Sequence, residues 1–197
     1  MWPSRTIQLR SISGTIESTL DAKHSFLLTI VNLMSCSKPF LIVVTGRPAA
    51  GKSTLANWLS KELKLPVVSK DNIREVLFDR LGWKDRDWAR QLGRVSIDLM
   101  FYFAQTQLAN GHSIIMDNAF HPDPTTPRLL ELKKQINAEI IQIICDANSE
   151  ILFQRFMERA KNGNRHPGHG RPSDTRQTTR HGVERALCRW TCRVPDR

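Results

Sequence analysis

The stretch Phe40-Leu41-Ile42-Val43-Val44-Thr45-Gly46-Arg47-Pro48-Ala49-Ala50-Gly51-Lys52-Ser53-Thr54 is an apolar run that stops at a glycine-framed turn, just where a helical pattern begins. The turn fits G-x-x-x-x-G-K-[ST], with Gly46, Gly51, Lys52 and Ser53 at the fixed positions. Glycines at both ends let the backbone bend tightly enough for successive N–H groups to cradle phosphate oxygens. A lysine at the position of Lys52 reaches the β- and γ-phosphates, and a hydroxyl at that of Ser53 can hold Mg²⁺. The helix opening at Lys52 aims its free N–H groups and the positive end of its dipole at the same anion. We therefore read residues Gly46, Arg47, Pro48, Ala49, Ala50, Gly51, Lys52, Ser53 and Thr54 as a site for ATP with Mg²⁺, Ser53 being the metal ligand. A turn that merely collects these residue types is the competing explanation, and the flanking strand and helix argue against it.

At 197 residues and 40% hydrophobic content, the chain suits one globular domain with a sizeable core. No apolar stretch approaches the ~20 residues that span a bilayer. Phe26 to Met34 is too short and is interrupted by Thr29 and Asn32. A soluble, cytoplasmic protein with no membrane partner is expected. Cys36, Cys145, Cys188 and Cys192 are scattered, which favours reduced thiols over a disulfide framework. The formal charge is +10, and residues 165 to 197 supply half of it, eight Arg facing Asp174, Glu184 and Asp196 for a local +5. Such a segment can bind nucleic acid nonspecifically or be a solvated end. Its Gly, Pro, Ser, Thr and Arg content, with Trp190 its one aromatic ring besides histidine, favours the solvated end.

Residues 1–37 show little periodicity and read as a poorly ordered or spurious extension, with Met34 a candidate start. Their early Arg and Ser content weakly resembles a transit peptide, against which Glu17 and Asp21 argue. Residues 38–170 form the expected domain, and 171–197 a basic, disordered tail. Within the domain, strand and helix patterns alternate. A strand over about 40–45 is followed by a helix from Lys52 to about Leu63, ended by Pro66. Val67 to Ser69 is a short strand, and Asp71 to Leu81 and Trp88 to Asn110 read as helices, the second with an apolar face at Val95, Leu99 and Phe103. Ser113 to Met116 is a buried strand ending at Asp117. A helix from about Thr126 to Asn137 leads to a strand over Ile140 to Cys145, and Ser149 to Lys161 closes the series as a helix. Short, unalternating strands between helices indicate an α/β fold with a parallel sheet covered on both faces.

Ligand groups gather at the carboxyl ends of the strands in such sheets. Asp71 follows the second strand, Asp117 ends the third, and Arg155, Arg159 and Arg165 follow the fourth. Carboxylates beside a nucleotide can orient Mg²⁺ or take a proton from an attacking hydroxyl, and arginines can neutralise charge on a transferred phosphoryl group. Each also has a plainer explanation: Asp71 as a helix cap, Asp117 as a strand end, the arginines as one solvated face.

Taken together, these residues resemble the small P-loop kinases related to polynucleotide 5′-hydroxyl kinases, gluconate kinase, chloramphenicol phosphotransferase and zeta toxins. The resemblance covers roughly residues 38 to 170 and implies a P-loop three-layer sandwich. It implies Asp71 as the base toward an acceptor hydroxyl, Arg74 as a substrate contact, and Asp117-Asn118 as a second polar strand end facing substrate. Arg155, Arg159 and the stretch Arg165-His166-Pro167-Gly168-His169 look like a lid whose arginines fold over the phosphates, Arg165 among the nucleotide contacts. The catalytic set so implied is Lys52, Asp71, Arg155 and Arg159.

The departure from the group lies at the C-terminal end, where residues 170–197 contain no credible apolar strand, so the last strand and helix are expected to be missing. A frameshifted or truncated reading frame would account for the abrupt change after His169. A zinc site built from His166, His169, His181, Cys188 and Cys192 fits no common ligand spacing. Trp83, Trp88, Phe101, Tyr102 and Phe103 read as core or as the wall of a substrate pocket. The leading expectation is an ATP-dependent kinase acting on a hydroxyl of a small molecule or nucleic acid. The alternative is a nucleotide-binding protein without transferase activity.

Overall fold

The computed structural model describes residues 6–11, 14–16, 28, 30, 31, 38–119, 122–161 and 166–169. Arg165, His181, Cys188 and Cys192 lie outside the described residues, as does most of the basic C-terminal segment. The sheet has the order β2-β1-β6-β3-β5-β4, with β1 Thr6–Ser11, β2 Gly14–Ile16, β3 Phe40–Gly46, β4 Val67–Ser69, β5 Ile114–Asp117 and β6 Glu139–Asp146. β3 lies parallel between β5 and β6, and β4 extends the parallel part beyond β5. Helices α1 Lys52–Leu63, α2 Lys70–Leu81, α3 Arg86–Ala109, α4 Pro122–Ile136 and α5 Ser149–Lys161 alternate with these strands.

β3 is an uninterrupted apolar run because both its faces are covered. Ile42 and Val44 pack with Leu55, Leu59, Ile143 and Leu152 on one side. Leu41 and Val43 pack with Met100, Leu108, Ile114 and Met116 on the other. A strand dry on both faces reads as continuous hydrophobicity rather than alternation, which is the signature of a parallel sheet.

Most element boundaries fall within one or two residues of those expected from the sequence, and the exceptions have physical causes. α4 begins at Pro122 rather than near Thr126, because a proline at the first helical position has its φ already set and no N–H to satisfy. α3 begins at Arg86, with the Asp85 carboxylate accepting the Trp88 N–H at 2.8 Å as its cap.

α3 does not bury the face its periodicity suggests. Val95, Leu99 and Phe103 are exposed, and the inward stripe is Leu92, Gly93, Ser96, Met100, Ala104 and Leu108. Gly93, Ser96 and Ala104 are small enough to bring the α3 backbone close to its neighbours, so packing selected the narrower of two apolar faces. Trp83 and Tyr102 are exposed as well, and only Phe101 of the expected aromatic set is buried.

The N-terminal residues differ from expectation too. β1 pairs antiparallel with β6 from Thr6↔Asp146 to Ser11↔Ile141, and β2 returns along β1. Residues 6–11 alternate Thr, Ile, Gln, Leu, Arg, Ser, a strand pattern too short to stand out without its partner. The pairing covers the outer edge of β6, which would otherwise expose a row of unpaired backbone groups. Ile30 is also fully buried, in the core shared by β3, β6, α1 and α5.

The phosphate-binding turn is held by one close approach. Gly46 has φ 134°, and a Cβ there would overlap the backbone carbonyl of Cys145 on β6. Both the dihedral and the space exclude a side chain. Gly46→Ala is expected to cost about 3 kcal/mol or more, lowering the melting temperature by roughly 6–12 °C; urea or thermal unfolding checks this.

Candidate nucleotide and phosphoryl-acceptor site

Strand register brings the site together. Ser69 on β4 and Val44 on β3 both pair with Asp117 on β5, so β4 and β5 finish level while β3 runs on to Gly46. The chain leaves β4 straight into Lys70 and Asp71 at the start of α2, and leaves β3 into the phosphate turn. Between them lies a pocket of about 410 Å³, within the range of small-molecule sites. Its walls are Pro48, Ala49, Gly51, Lys52, Ser53 and Thr54 from the turn and α1, Lys70, Asp71, Arg74 and Glu75 from α2, Asp117, Asn118 and Ala119 after β5, and Phe156, Arg159 and His169.

The turn has the backbone its sequence demands. Gly51 at φ 82° caps α1, and Ala49 also adopts a left-handed conformation, φ 62°. Lys52 Nζ donates to the Arg47 carbonyl at 2.9 Å. Burial pushes the Lys52 ammonium below the ordinary lysine range; Asp117, Cys145 and Asp71 oppose that shift, and Arg159 adds to it. The Arg47 side chain turns away from the pocket, its Nη1 3.3 Å from Asp146 Oδ1 and its Nη2 donating to Ser149 Oγ at 2.9 Å. The residue after Gly46 therefore ties the turn to the junction of β6 and α5.

Asp117 is 4% exposed and its Oδ1 accepts no hydrogen bond. Burial raises its carboxyl pKa, while the Ser53 hydroxyl, the Lys52 ammonium and the Ser69 hydroxyl favour the charged form. A buried carboxylate oxygen without a donor, beside the serine of the phosphate turn, is the arrangement that a hard, oxygen-seeking cation fits. Mg²⁺ would fit this corner, where Ser53 and Asp117 are the side chains that could hold it. Asn118 is buried next to it, its N–H donating to the Val44 carbonyl at 3.2 Å.

Across the pocket, α2 presents Asp71, exposed at the mouth, with Arg74 one turn on. The Arg74 guanidinium lies 5.0 Å from the centre of the buried Phe78 ring. The short 3₁₀ turn Pro167–His169 packs on the same helix. His166 stacks on Phe78 with ring centres 5.4 Å apart, and its Nε2 is 3.0 Å from Asp79 Oδ1. His169 Nε2 is 3.0 Å from Glu75 Oε1, and a Cβ on Gly168 would lie 2.5 Å from the Phe78 ring. Both histidines are thus engaged by α2, and no group of three metal-ligating side chains occurs among the described residues.

Of the residues singled out from the sequence, the structure brings Lys52, Ser53, Thr54, Asp71, Arg74, Asp117, Asn118 and Arg159 into one pocket. Arg155 is not among its walls: its Nη1 is buried without a hydrogen-bond partner. Phe156, the next residue, does line the pocket together with Arg159, so the face that α5 turns to the cleft decides which of its side chains reach it. Lys70, Glu75 and Phe156 join the lining without having been singled out. For Lys70 the available signal was its position directly before Asp71.

A glycine-framed turn between a buried strand and a helix, beside the acidic end of a parallel β5 and the Asp71 carboxylate that opens α2, is the arrangement of a P-loop kinase. The chain belongs to the AAA_33 family, described as an AAA domain, whose model matches residues 41–180. It is similar to the crystal structure of a candidate kinase from Chloroflexus aurantiacus, at 37% identity and a TM-score of 0.69, over 79% of this chain and 80% of that one. The fold is shared with a chain of the Pnkp1/Rnl/Hen1 RNA repair complex, at 16% identity and a TM-score of 0.60, over 80% of this chain and 46% of that one. An uncharacterised protein of Mycobacterium tuberculosis is 24% identical over 159 residues; the match covers 77% of this chain and 32% of that protein. No helix among the described residues is long and apolar enough to cross a membrane.

A raised carboxyl pKa in the folded state means that the folded protein holds more protons than the unfolded chain, so stability falls as pH rises from the usual 3.8 through the raised value. Asp117→Asn removes that cost. Without nucleotide or magnesium, the variant is expected to melt about 2–4 °C above the wild type at pH 7, equivalent to roughly 1 kcal/mol, with the difference shrinking towards pH 4. Differential scanning calorimetry across that range is the check.

Proposed function

We propose that the protein is an ATP-dependent phosphotransferase that moves the γ-phosphoryl group to a hydroxyl of a small molecule or nucleic acid. The observation carrying this reading is the convergence of the phosphate turn, Lys52, Asp71, Asp117 and Arg159 on one pocket. A site for nucleotide alone has no use for a carboxylate exposed on the far helix.

Backbone N–H groups of Ala49, Gly51 and Lys52 cradle the β- and γ-phosphates, and the Lys52 side chain exchanges its bond to the Arg47 carbonyl for phosphate oxygens. Mg²⁺ supplies neutralisation of charge on those oxygens when bound, and Ser53 with Asp117 are the residues that would hold it. Asp71 accepts the proton of the acceptor hydroxyl as its oxygen bonds to the γ-phosphorus; the bond to the β–γ bridging oxygen breaks and ADP departs. Arg159 faces the same space and offsets the charge spread over the transferred group. Catalysis is then mainly positioning and electrostatics, in keeping with a fold that places its groups on strand ends and helix starts.

The test separates binding from chemistry. Lys52→Ala should abolish saturable ATP–Mg²⁺ binding by calorimetry. Asp71→Asn should retain it while γ-phosphoryl transfer to a panel of hydroxyl acceptors and 5′-hydroxyl oligonucleotides drops roughly 10²–10⁴-fold. Undiminished transfer by Asp71→Asn would remove the proposed base.

A further inference from the structure

We infer that His166, Gly168 and His169 clasp α2 from outside the pocket, and that this clasp sets the position of Asp71 for phosphoryl transfer. Its catalytic consequence rests on the phosphotransferase reading of the pocket; its hold on α2 does not. His166 and His169 are thus positioning residues, acting through the helix that carries Asp71.

Helix α2 supplies Lys70, Asp71, Arg74 and Glu75 to the pocket, yet of its twelve residues only Phe78 is buried. Ile73 packs partly against the core around Met100 and Leu108. A helix with so little buried apolar surface draws little stability from the body of the domain and opens locally at small cost. Its attachment therefore leans on whatever covers Phe78. The turn Pro167–His169 meets that ring at three points. His166 stacks on it with the planes 11° apart, and His169 stands edge-on with ring centres 5.6 Å apart. Between them the Gly168 backbone lies so near that a Cβ would fall 2.5 Å from the ring.

Two carboxylates of α2 complete the grip. The Gly168 N–H donates to His166 Nδ1 at 3.0 Å, so the ring proton sits on Nε2, which donates to Asp79 Oδ1 at 3.0 Å. His169, its side chain only 5% exposed, donates from Nε2 to Glu75 Oε1 at 3.0 Å. Asp71, Glu75, Phe78 and Asp79 follow the spacing i, i+4, i+7 and i+8, hence one stripe of the helix. The clasp holds three of the four, which fixes both the rotation of α2 and the direction in which the fourth, Asp71, points. No hydrogen bond to the Asp71 carboxylate occurs among the described residues, so its place is set by the helix. His166 follows Lys161, the end of α5, by five residues, so the chain that leaves the Arg159 helix closes on the Asp71 helix. Misplacing a reacting group by about 1 Å can cost on the order of 10²-fold in rate. A loosened α2 would thus slow transfer without touching the phosphate turn.

The experiment reads α2 and the nucleotide separately. Amide hydrogen exchange is followed by mass spectrometry in full-length wild type, His166→Ala, Gly168→Ala, His169→Ala and His169→Gln. His166→Ala and Gly168→Ala are expected to speed exchange across residues 70–81 roughly tenfold or more, with α1 exchange and AMP-PNP–Mg²⁺ affinity within about twofold of wild type. Gly168→Ala keeps both histidines and tests the fit on Phe78 alone. His169→Ala should loosen α2 as well, and His169→Gln, whose amide can donate to Glu75, should restore the protection. With a hydroxyl acceptor that the wild type phosphorylates, His166→Ala should lower kcat about tenfold at unchanged KM for ATP, and adding it to Asp71→Asn should lower the rate no further. Exchange across residues 70–81 unchanged in His166→Ala and Gly168→Ala, or raised equally in α1, overturns the clasp. A loosened α2 with undiminished kcat overturns its role in placing Asp71. A wild type that binds AMP-PNP but phosphorylates no acceptor removes the phosphotransferase reading, and the exchange of α2 then decides the clasp alone.

Discussion

The rest of the structure depends on the contact between the backbone of Gly46 and the carbonyl of Cys145. It joins the end of β3 to β6 so closely that no side chain fits, and from there the chain must turn back across the strand ends. That turn sets where Lys52 and Ser53 start their helix and where the N–H groups of α1 point. Because β3 is buried on both faces, the frame of this turn cannot shift without disturbing both hydrophobic cores.

Asp117 illustrates the opposite tendency. A carboxylate at 4% exposure with an unsatisfied oxygen lowers stability in a place where an amide or an aliphatic group would raise it. Its place at a strand end, level with Ser69 and beside Lys52 and Ser53, sets a polar group in the pocket wall at a cost in stability. The left-handed Ala49 adds a second, smaller strain in the same turn.

Much of the site was legible because phosphate chemistry imposes a local pattern: the glycines, lysine and serine of residues 46–53 must be consecutive to wrap one anion. Asp71 was legible because it directly follows a strand. What could not be read depends on partners distant in the chain. The strands at residues 6–16 alternate too briefly to declare themselves without the edge of β6. The buried face of α3 was misassigned because apolar residues lie on two sides, and only the packing of neighbours favours the one with Gly93, Ser96 and Ala104. Arg155 and Arg159 look equivalent in sequence, and the face that α5 presents to the cleft, with Phe156 and Arg159 on it, separates them. The grip of His166 and His169 on α2 comes from shape, Gly168 being small enough to lie on the Phe78 ring.

Arg47 has a wider consequence. Its guanidinium bridges the phosphate turn to Asp146 and Ser149, at the root of the helix that carries Arg159. Any displacement of that helix would therefore be felt at the turn, and any displacement of the turn at the helix. Such mutual leverage is reciprocal by thermodynamic necessity.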